Sequence, residues 1–280
     1  MEITINGSPA DITLEKERTL GEFLSGIENW LLGSGHSVSG LQVDGTVIGV
    51  DSVADAFRWE LEKIKNIAIK TSTSFELLAE ALLTAKEALK TYEDALFDQQ
   101  NQLREQWKNS PAGVFLSEKA PELYDGMVKT LRGEGLFPQK MEHLIDERLR
   151  EVENPKNELL IMEGAVTGIA QRLEDLPLDI QTGKDQQAAE TVSLFSGITE
   201  KLCRLIFLLK QQGILTDEVT VEDLSIQAFI EEFTIALKEL LAAYEAKDAV
   251  LVGDLAEYEL APRLLKLYSA MRDSMEKPVA

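Results

Sequence analysis

The apolar positions of this chain change period part-way along it. In Glu2–Ile5 they alternate, with Ile3 and Ile5 on one face, and in Asp11–Leu14 they alternate again through Ile12 and Leu14. Alternation marks a half-buried strand. Asn6-Gly7 lies between the two runs, and both residues tolerate the positive φ of a tight turn, so residues 1–14 are predicted to form a β-hairpin. The period then becomes helical. Leu20, Phe23, Leu24, Ile27, Trp30 and Leu31 recur at steps mostly of three and four, Thr19 and Glu22 stand at capping-box spacing before them, and Gly33 follows. Gly33 to Gly40 reads as a flexible connector: its glycines follow a helix rather than a strand and fit neither the dinucleotide nor the P-loop spacing. Leu41–Val43 and Val47–Val50 about Asp44-Gly45 predict a second short hairpin. Ser52 opens a short helix to about residue 60, and Ile64–Lys70 is a last strand.

From Ser74 onward the pattern is helical. Phe75, Leu78, Leu82, Ala85, Leu89, Tyr92 and Leu96 alternate steps of three and four, with Leu103 beyond the polar Gln99, which predicts one long heptad helix over about 74–109. At 1.5 Å per residue it would be ~50 Å long. Its seam suits either an intramolecular bundle or a homodimer through the heptad helix. Pro111 and Pro121 predict a loop over 110–121, followed by a short helix to Leu131 and a turn at Gly133-Glu134-Gly135. Pro138 opens a helix to about Glu153. Asn154-Pro155 reads as cap and first helical residue of another, with Leu159, Met162, Val166, Ile169 and Leu173 on one face. The most apolar helix spans about 184–212, Gly213 ends it, Thr220 and Asp223 start the next, and Asp248 caps the last. No strand pattern is expected after residue 72.

The fold class is therefore α+β: a small N-terminal domain, residues 1–72, and an acidic all-helical domain, residues 73–280. The order hairpin, helix, short strands, short helix, strand resembles the ubiquitin-like β-grasp, and its compact sulfur-carrier members in particular. The resemblance covers residues 1–72 and rests on element order. Members of that superfold that act as carriers or modifiers work through a free C-terminal Gly-Gly. Here the expected head runs through Thr71-Ser72-Thr73-Ser74 into a helix, and the chain ends Glu276-Lys277-Pro278-Val279-Ala280. What the resemblance implies is a docking module, joined to the helical domain by about four polar residues.

Composition and charge narrow the chemistry. The 280 residues are 44% hydrophobic and 28% charged, a globular balance, but 28 Lys and Arg stand against 49 Asp and Glu for a net charge of −21. Such a surface repels nucleic acid and anionic lipid and favours a basic protein partner. The first seven residues lack a basic leader, and no apolar run reaches membrane-spanning length, so a cytoplasmic protein without membrane insertion is expected. The single cysteine, Cys203, lies in an apolar stretch and reads as a packed thiol. The two histidines, His36 and His143, lack the Glu-x-x-His spacing of a di-iron bundle, and no zinc spacing, nucleophile elbow or kinase signature occurs, so no catalytic residue, metal or cofactor is assigned. Carboxylate pairs such as Glu142 with Asp146 and Glu147 with Glu151 read as solvated helix faces.

One segment breaks local rules. Between Asp248 and Pro262, Gly253 and Pro262 both disturb a helix, and Asp254, Glu257 and Tyr258 lie on neighbouring turns between them. Read as a site, the segment presents Asp254, Glu257, Tyr258 and Asp248 to a partner. Read as packing, Gly253 permits close helix approach and Pro262 makes a kink. The expected function is a non-enzymatic adaptor, scaffold or assembly protein that docks through its N-terminal domain. The alternatives are an enzyme or accessory subunit with a carboxylate/tyrosine site in the C-terminal helices, and a regulator of a sulfur-carrier-type activating system.

Overall fold

A computed structural model describes residues 1–14 and 16–276. The Lys277–Ala280 tail, with the chain's last residues, lies outside them. The architecture is α+β, a small N-terminal mixed sheet followed by helices.

The sheet forms where the alternation predicts it, with shifted edges. Strand β1 (Glu2–Ile5) turns through Asn6 and Gly7, both at positive φ (51° and 79°), into β2 (Ser8–Pro9). The expected return strand at 11–14 is replaced by this shorter one. Beyond the turn the chain leaves the sheet, as suits a proline-bearing edge strand that lacks a ladder donor. Helix α1 (Leu20–Leu32) begins at a complete Thr19/Glu22 capping box. Its Leu20, Phe23, Leu24, Ile27 and Leu31 are buried, whereas Trp30, at the margin of the apolar arc, is exposed.

The stretch from Gly33 is not a connector throughout. After a turn with Gly35 at φ 71°, residues from His36 join strand β3 (His36–Val43), because β5 (Asn66–Thr73) offers them backbone partners as far as Thr73. A bulge between Val38 and Gly40 accommodates the extra residue, and Ser39 Oγ lies 2.8 Å from Ser72 Oγ. Strand β4 (Thr46–Val47) completes the second hairpin. Helix α2 (Val50–Ala56) begins after Gly49 rather than at Ser52, and a single 3₁₀ turn follows at Leu61–Lys63.

The sheet order is β2-β1-β5-β3-β4, with β1 parallel to β5 and the other pairs antiparallel. Ile3, Leu41, Val43, Ile67 and Ile69 join the apolar face of α1 in one core cluster, while Glu2, Thr4, Gln42, Asn66 and Ala68 line a shallow depression on the sheet. Asn6 locks the parallel pair: its Nδ2 donates to Thr71 Oγ1, and its Oδ1 accepts from Thr71 N, both at 2.9 Å.

The four polar residues expected to link the two parts are not a linker. Thr71, Ser72 and Thr73 complete β5, and Thr73 rather than Ser74 caps helix α3 (Ser74–Asp94) in a second capping box with Glu76. The single heptad helix over 74–109 is also corrected. The chain breaks at Ala95 and Leu96, both extended (ψ 147° and 149°), and resumes as α4 (Phe97–Asn109). No glycine or proline causes the break. It follows from packing: Leu82, Ala85 and Leu89 bury against α5 (Pro111–Lys119) and α6 (Pro121–Leu131), and reversing α4 onto the same helices buries Trp107.

Helix α5 occupies the expected 110–121 loop. Pro111 opens it at the first helical position, where no amide donor is needed, and Ser110 Oγ accepts from Gly113 N. Helix α7 (Pro138–Glu153) buries Met141, Ile145 and Leu149.

Beyond it come α8 (Pro155–Leu160), α9 (Glu163–Gln181) and α10 (Asp185–Gln211). Helix α11 (Ile226–Glu245) begins at a Ser225 cap, not at Thr220. Thr220–Asp223 instead belongs to a minimal hairpin, β6 (Thr220–Val221) and β7 (Leu224–Ser225), because Glu222 and Asp223 both take positive φ. Strand pairing thus recurs after residue 72. Two compact units divide the chain, Met1–Leu149 and Arg150–Ala280.

Candidate functional site

The segment singled out in the sequence, Asp248 to Pro262, follows Lys247, which lies in the left-handed region at φ 58°. Asp248 caps the short helix α12 (Ala249–Asp254), its Oδ1 accepting from Leu251 N at 3.1 Å. Gly253 is buried. A Cβ there would stand 3.0 Å from both Cβ and Cγ of Pro177 in α9, so the glycine allows the two backbones to approach. Leu255–Leu260 is a π-helical turn in which Ala261 N donates to Ala256 O five residues back, and α13 (Ala261–Glu276) follows. Pro262 has no amide to donate, and the wider turn takes up the misfit that a regular helix would place at Tyr258.

This geometry sorts the side chains. Val252, Leu255, Ala256 and Leu260 point into the core. Val250 (71% exposed), Leu251 (44%), Asp254 and Tyr258 (66%) lie on the opposite face. The adjacent Glu257 carboxylate, with smaller contributions from burial and the Asp254 charge, holds the Tyr258 phenol above its ordinary value of 10.0, hence protonated. Asp254, Glu257 and Tyr258 are therefore together. Asp248 is committed to its cap at the other end of α12. Val250 and Leu251 belong to the same face and were not singled out in the sequence, where Val250-Leu251-Val252 looks like core. Their exposure depends on which side of α12 meets α9 and α11. The face is open: it can exchange hydrogen bonds and cover apolar surface, but it does not enclose a reactant.

A second cluster corrects the reading of Glu151 as a solvated carboxylate, because Arg204 of α10 draws it into the interior. Glu151 and Glu158 are 1% and 2% exposed. Arg204 donates to both Glu151 oxygens at 2.9 and 3.1 Å, Lys201 to Glu158 at 2.9 Å, and Arg150 Nε lies 3.3 Å from Glu158. Lys201 and Arg204 stand on one face of α10, so the cluster ties that helix to α8 and the end of α7. Only their three-residue spacing opposite two carboxylates hinted at it. The cysteine between them, Cys203, is half-buried, and burial raises its thiol above the ordinary range, which keeps it an unreactive thiol. Tyr268 is buried and donates to the carbonyls of Leu159 and Leu160 at 3.3 Å each.

The pair Glu142 and Asp146, expected to be simply solvated, receives Lys86 from α3 at 3.4 and 2.7 Å, and these bonds raise the lysine pKa. Among the described residues no group of three or more His, Cys, Asp or Glu side chains is disposed to hold a metal, and no helix is long and apolar enough to cross a membrane. In the first unit, Val43, Arg58, Trp59 and Ile64 help line a cleft of about 490 Å³ beside the β3–β4 turn, with Trp59 41% exposed.

Two stretches match known families. Residues 1–73 match the TP0873 N-terminal domain, and residues 162–270 match a domain of unknown function, DUF8042. An "Uncharacterized protein" of Treponema pallidum (strain Nichols) is 29% identical over 129 residues, covering 45% of this chain and 64% of that protein, so the match spans less than two thirds of the relative's length. No solved structure matches. The first match ends at the last residue of β5, and the second encloses the whole 248–262 segment. The chain is thus similar to one family over its sheet-bearing segment and to another over most of α9–α13.

Proposed function

We propose that this chain is a non-enzymatic, cytoplasmic adaptor or assembly protein, which docks through a domain at residues 1–72 and associates through its helices. The observation that carries the reading is the outer face of α12 and its π turn. Val250, Leu251 and Tyr258 are exposed there beside Asp254 and Glu257, on a backbone held rigidly by the Gly253–Pro177 approach. Apolar side chains with a polar border on a fixed scaffold suit protein recognition. The acidic border favours a basic partner. Because Leu82, Ala85 and Leu89 of the heptad seam are already buried, association falls to exposed faces rather than to the seam.

The N-terminal domain reads as β-grasp-like. Support comes from the order β2-β1-β5-β3-β4, the parallel β1–β5 pair, the helix across one face, a core cluster of its own, and a family match that ends at residue 73. Continuation of β5 into α3 supports docking over conjugation. The test is affinity capture from native cytosol with the full chain and with a Val250→Ser/Tyr258→Ala variant, followed by mass spectrometry. The expected result is a defined partner set that the variant loses. An identical set from both proteins would remove the α12 face from the reading, and a wild-type chain that recovers no partner would overturn it.

A further inference from the structure

Two Leu-Phe pairs in the first unit are exposed against the trend of the fold. Leu96 and Phe97 are 72% and 83% exposed, and Leu136 and Phe137 are 46% and 73% exposed. The pairs are far apart in sequence. Leu96 and Phe97 form the corner from α3 to α4, and Leu136 and Phe137 lead into α7. Gln139 Nε2 of α7 donates to Glu93 Oε1 of α3 at 2.7 Å, so both pairs flank one hydrogen bond at the same end of the helices. The corner does not need these side chains, since Ala95 and Leu96 are simply extended and a polar residue would turn the chain equally well. Exposed apolar side chains brought together from separate segments mark an interaction surface rather than scattered surface residues.

The border says what covers it. Glu93, Asp94 and Asp98 stand exposed beside Leu96 and Phe97, and Lys140 is exposed three residues after Phe137. A second copy would bring the same three carboxylates against them, and an anionic membrane would be repelled. A segment with an apolar face and Lys or Arg along its margins satisfies both parts of the surface. We propose that the Leu96–Phe97/Leu136–Phe137 corner is a docking surface for a basic amphipathic segment of another protein. This surface is built from residues of the first unit and shares none with the α12 face.

The test uses the full chain and a fluorescent Leu/Lys amphipathic peptide of about 18 residues, followed by anisotropy at about 0.15 M salt. Phe97→Ser/Phe137→Ser is expected to weaken binding about tenfold or more, and a Leu/Glu peptide with the same apolar face to bind wild type at least about tenfold less well. Phe207→Ser/Ile235→Ser, at exposed apolar residues outside both proposed faces, should change the affinity less than about twofold. Both variants replace exposed residues, and unchanged circular dichroism confirms that they fold. Equal binding by the Phe97→Ser/Phe137→Ser variant overturns the proposal, as does equal binding of the Leu/Glu peptide. Loss only in a third variant, Val250→Ser/Tyr258→Ser, moves the surface to α12. Two further results also overturn it: a wild-type dimer that Phe97→Ser/Phe137→Ser dissolves, which makes the occupant a second copy, and uptake of neutral lipid vesicles in place of the peptide.

Discussion

At the scale of single residues, Gly253 decides most. Alanine would gain ~1 kcal/mol of helix propensity. Its Cβ would, however, stand 3.0 Å from two atoms of the Pro177 ring, which is held inside α9 and cannot rotate away. Overpacking of this kind costs ~1–3 kcal/mol. Gly253→Ala is therefore expected to lower stability by about 1 kcal/mol in urea unfolding, and Pro177→Ala in the same chain should recover part of the loss through non-additivity. Tyr258 supplies a test of its own. Its pKa is raised, chiefly by the adjacent Glu257 carboxylate, so the contribution of the protonated phenol is present below 10.0 and is lost as pH rises through the raised folded value. Near-UV absorbance titration should show Glu257→Gln lowering this pKa toward 10.0. A titration unchanged by the substitution would mean that Glu257 does not act on the Tyr258 phenol in solution.

At the scale of elements, the buried ions of α7, α8 and α10 outweigh the surface pairs. Glu151 is almost fully buried and accepts a bidentate pair of bonds from Arg204, with Lys201 Nζ a further 4.0 Å away, so removing Arg204 takes its closest cation. Arg204→Ala is expected to cost ~3 kcal/mol or more, read as a shift in denaturation midpoint. The β5–α3 junction behaves differently with pH. The Thr73 backbone and hydroxyl bonds lower the Glu76 pKa from 4.5, so the contribution of the box is present above 4.5 and is lost as pH falls through the lowered folded value. Glu76→Gln should flatten that acid limb of the stability profile. A limb of unchanged slope would mean that the capping box does not titrate. The first capping box was legible from Thr19 and Glu22 alone. The second was not placed correctly, because Ser74 competes with Thr73 for the cap and only the pairing of β5 with His36 decides between them.

At the scale of the whole molecule, net charge of −21 acts on every step. Self-repulsion among exposed carboxylates opposes the compact state and is screened by salt, whereas the buried Arg204–Glu151 and Lys201–Glu158 pairs are screened far less. The melting temperature is expected to rise as salt increases from about 0.05 to about 0.5 M. A falling temperature would show that surface ion pairs, not net repulsion, dominate.

The sequence by itself determined the element types, because apolar period is a local property: the alternation of β1, the heptad steps of α3, the caps at Thr19, Asn154 and Asp248, and the misfit of Gly253 with Pro262. It also made Asp254, Glu257 and Tyr258 neighbours, since they share adjacent turns. Tertiary structure decided what depends on distant partners. It extended β5 to Thr73, broke the heptad helix at Ala95 where no local signal stands, and joined Glu151 to Arg204 across separate helices. It also turned Val250 and Phe97 outward. Period tells which residues can share a face, but whether that face meets protein or water depends on segments far along the chain.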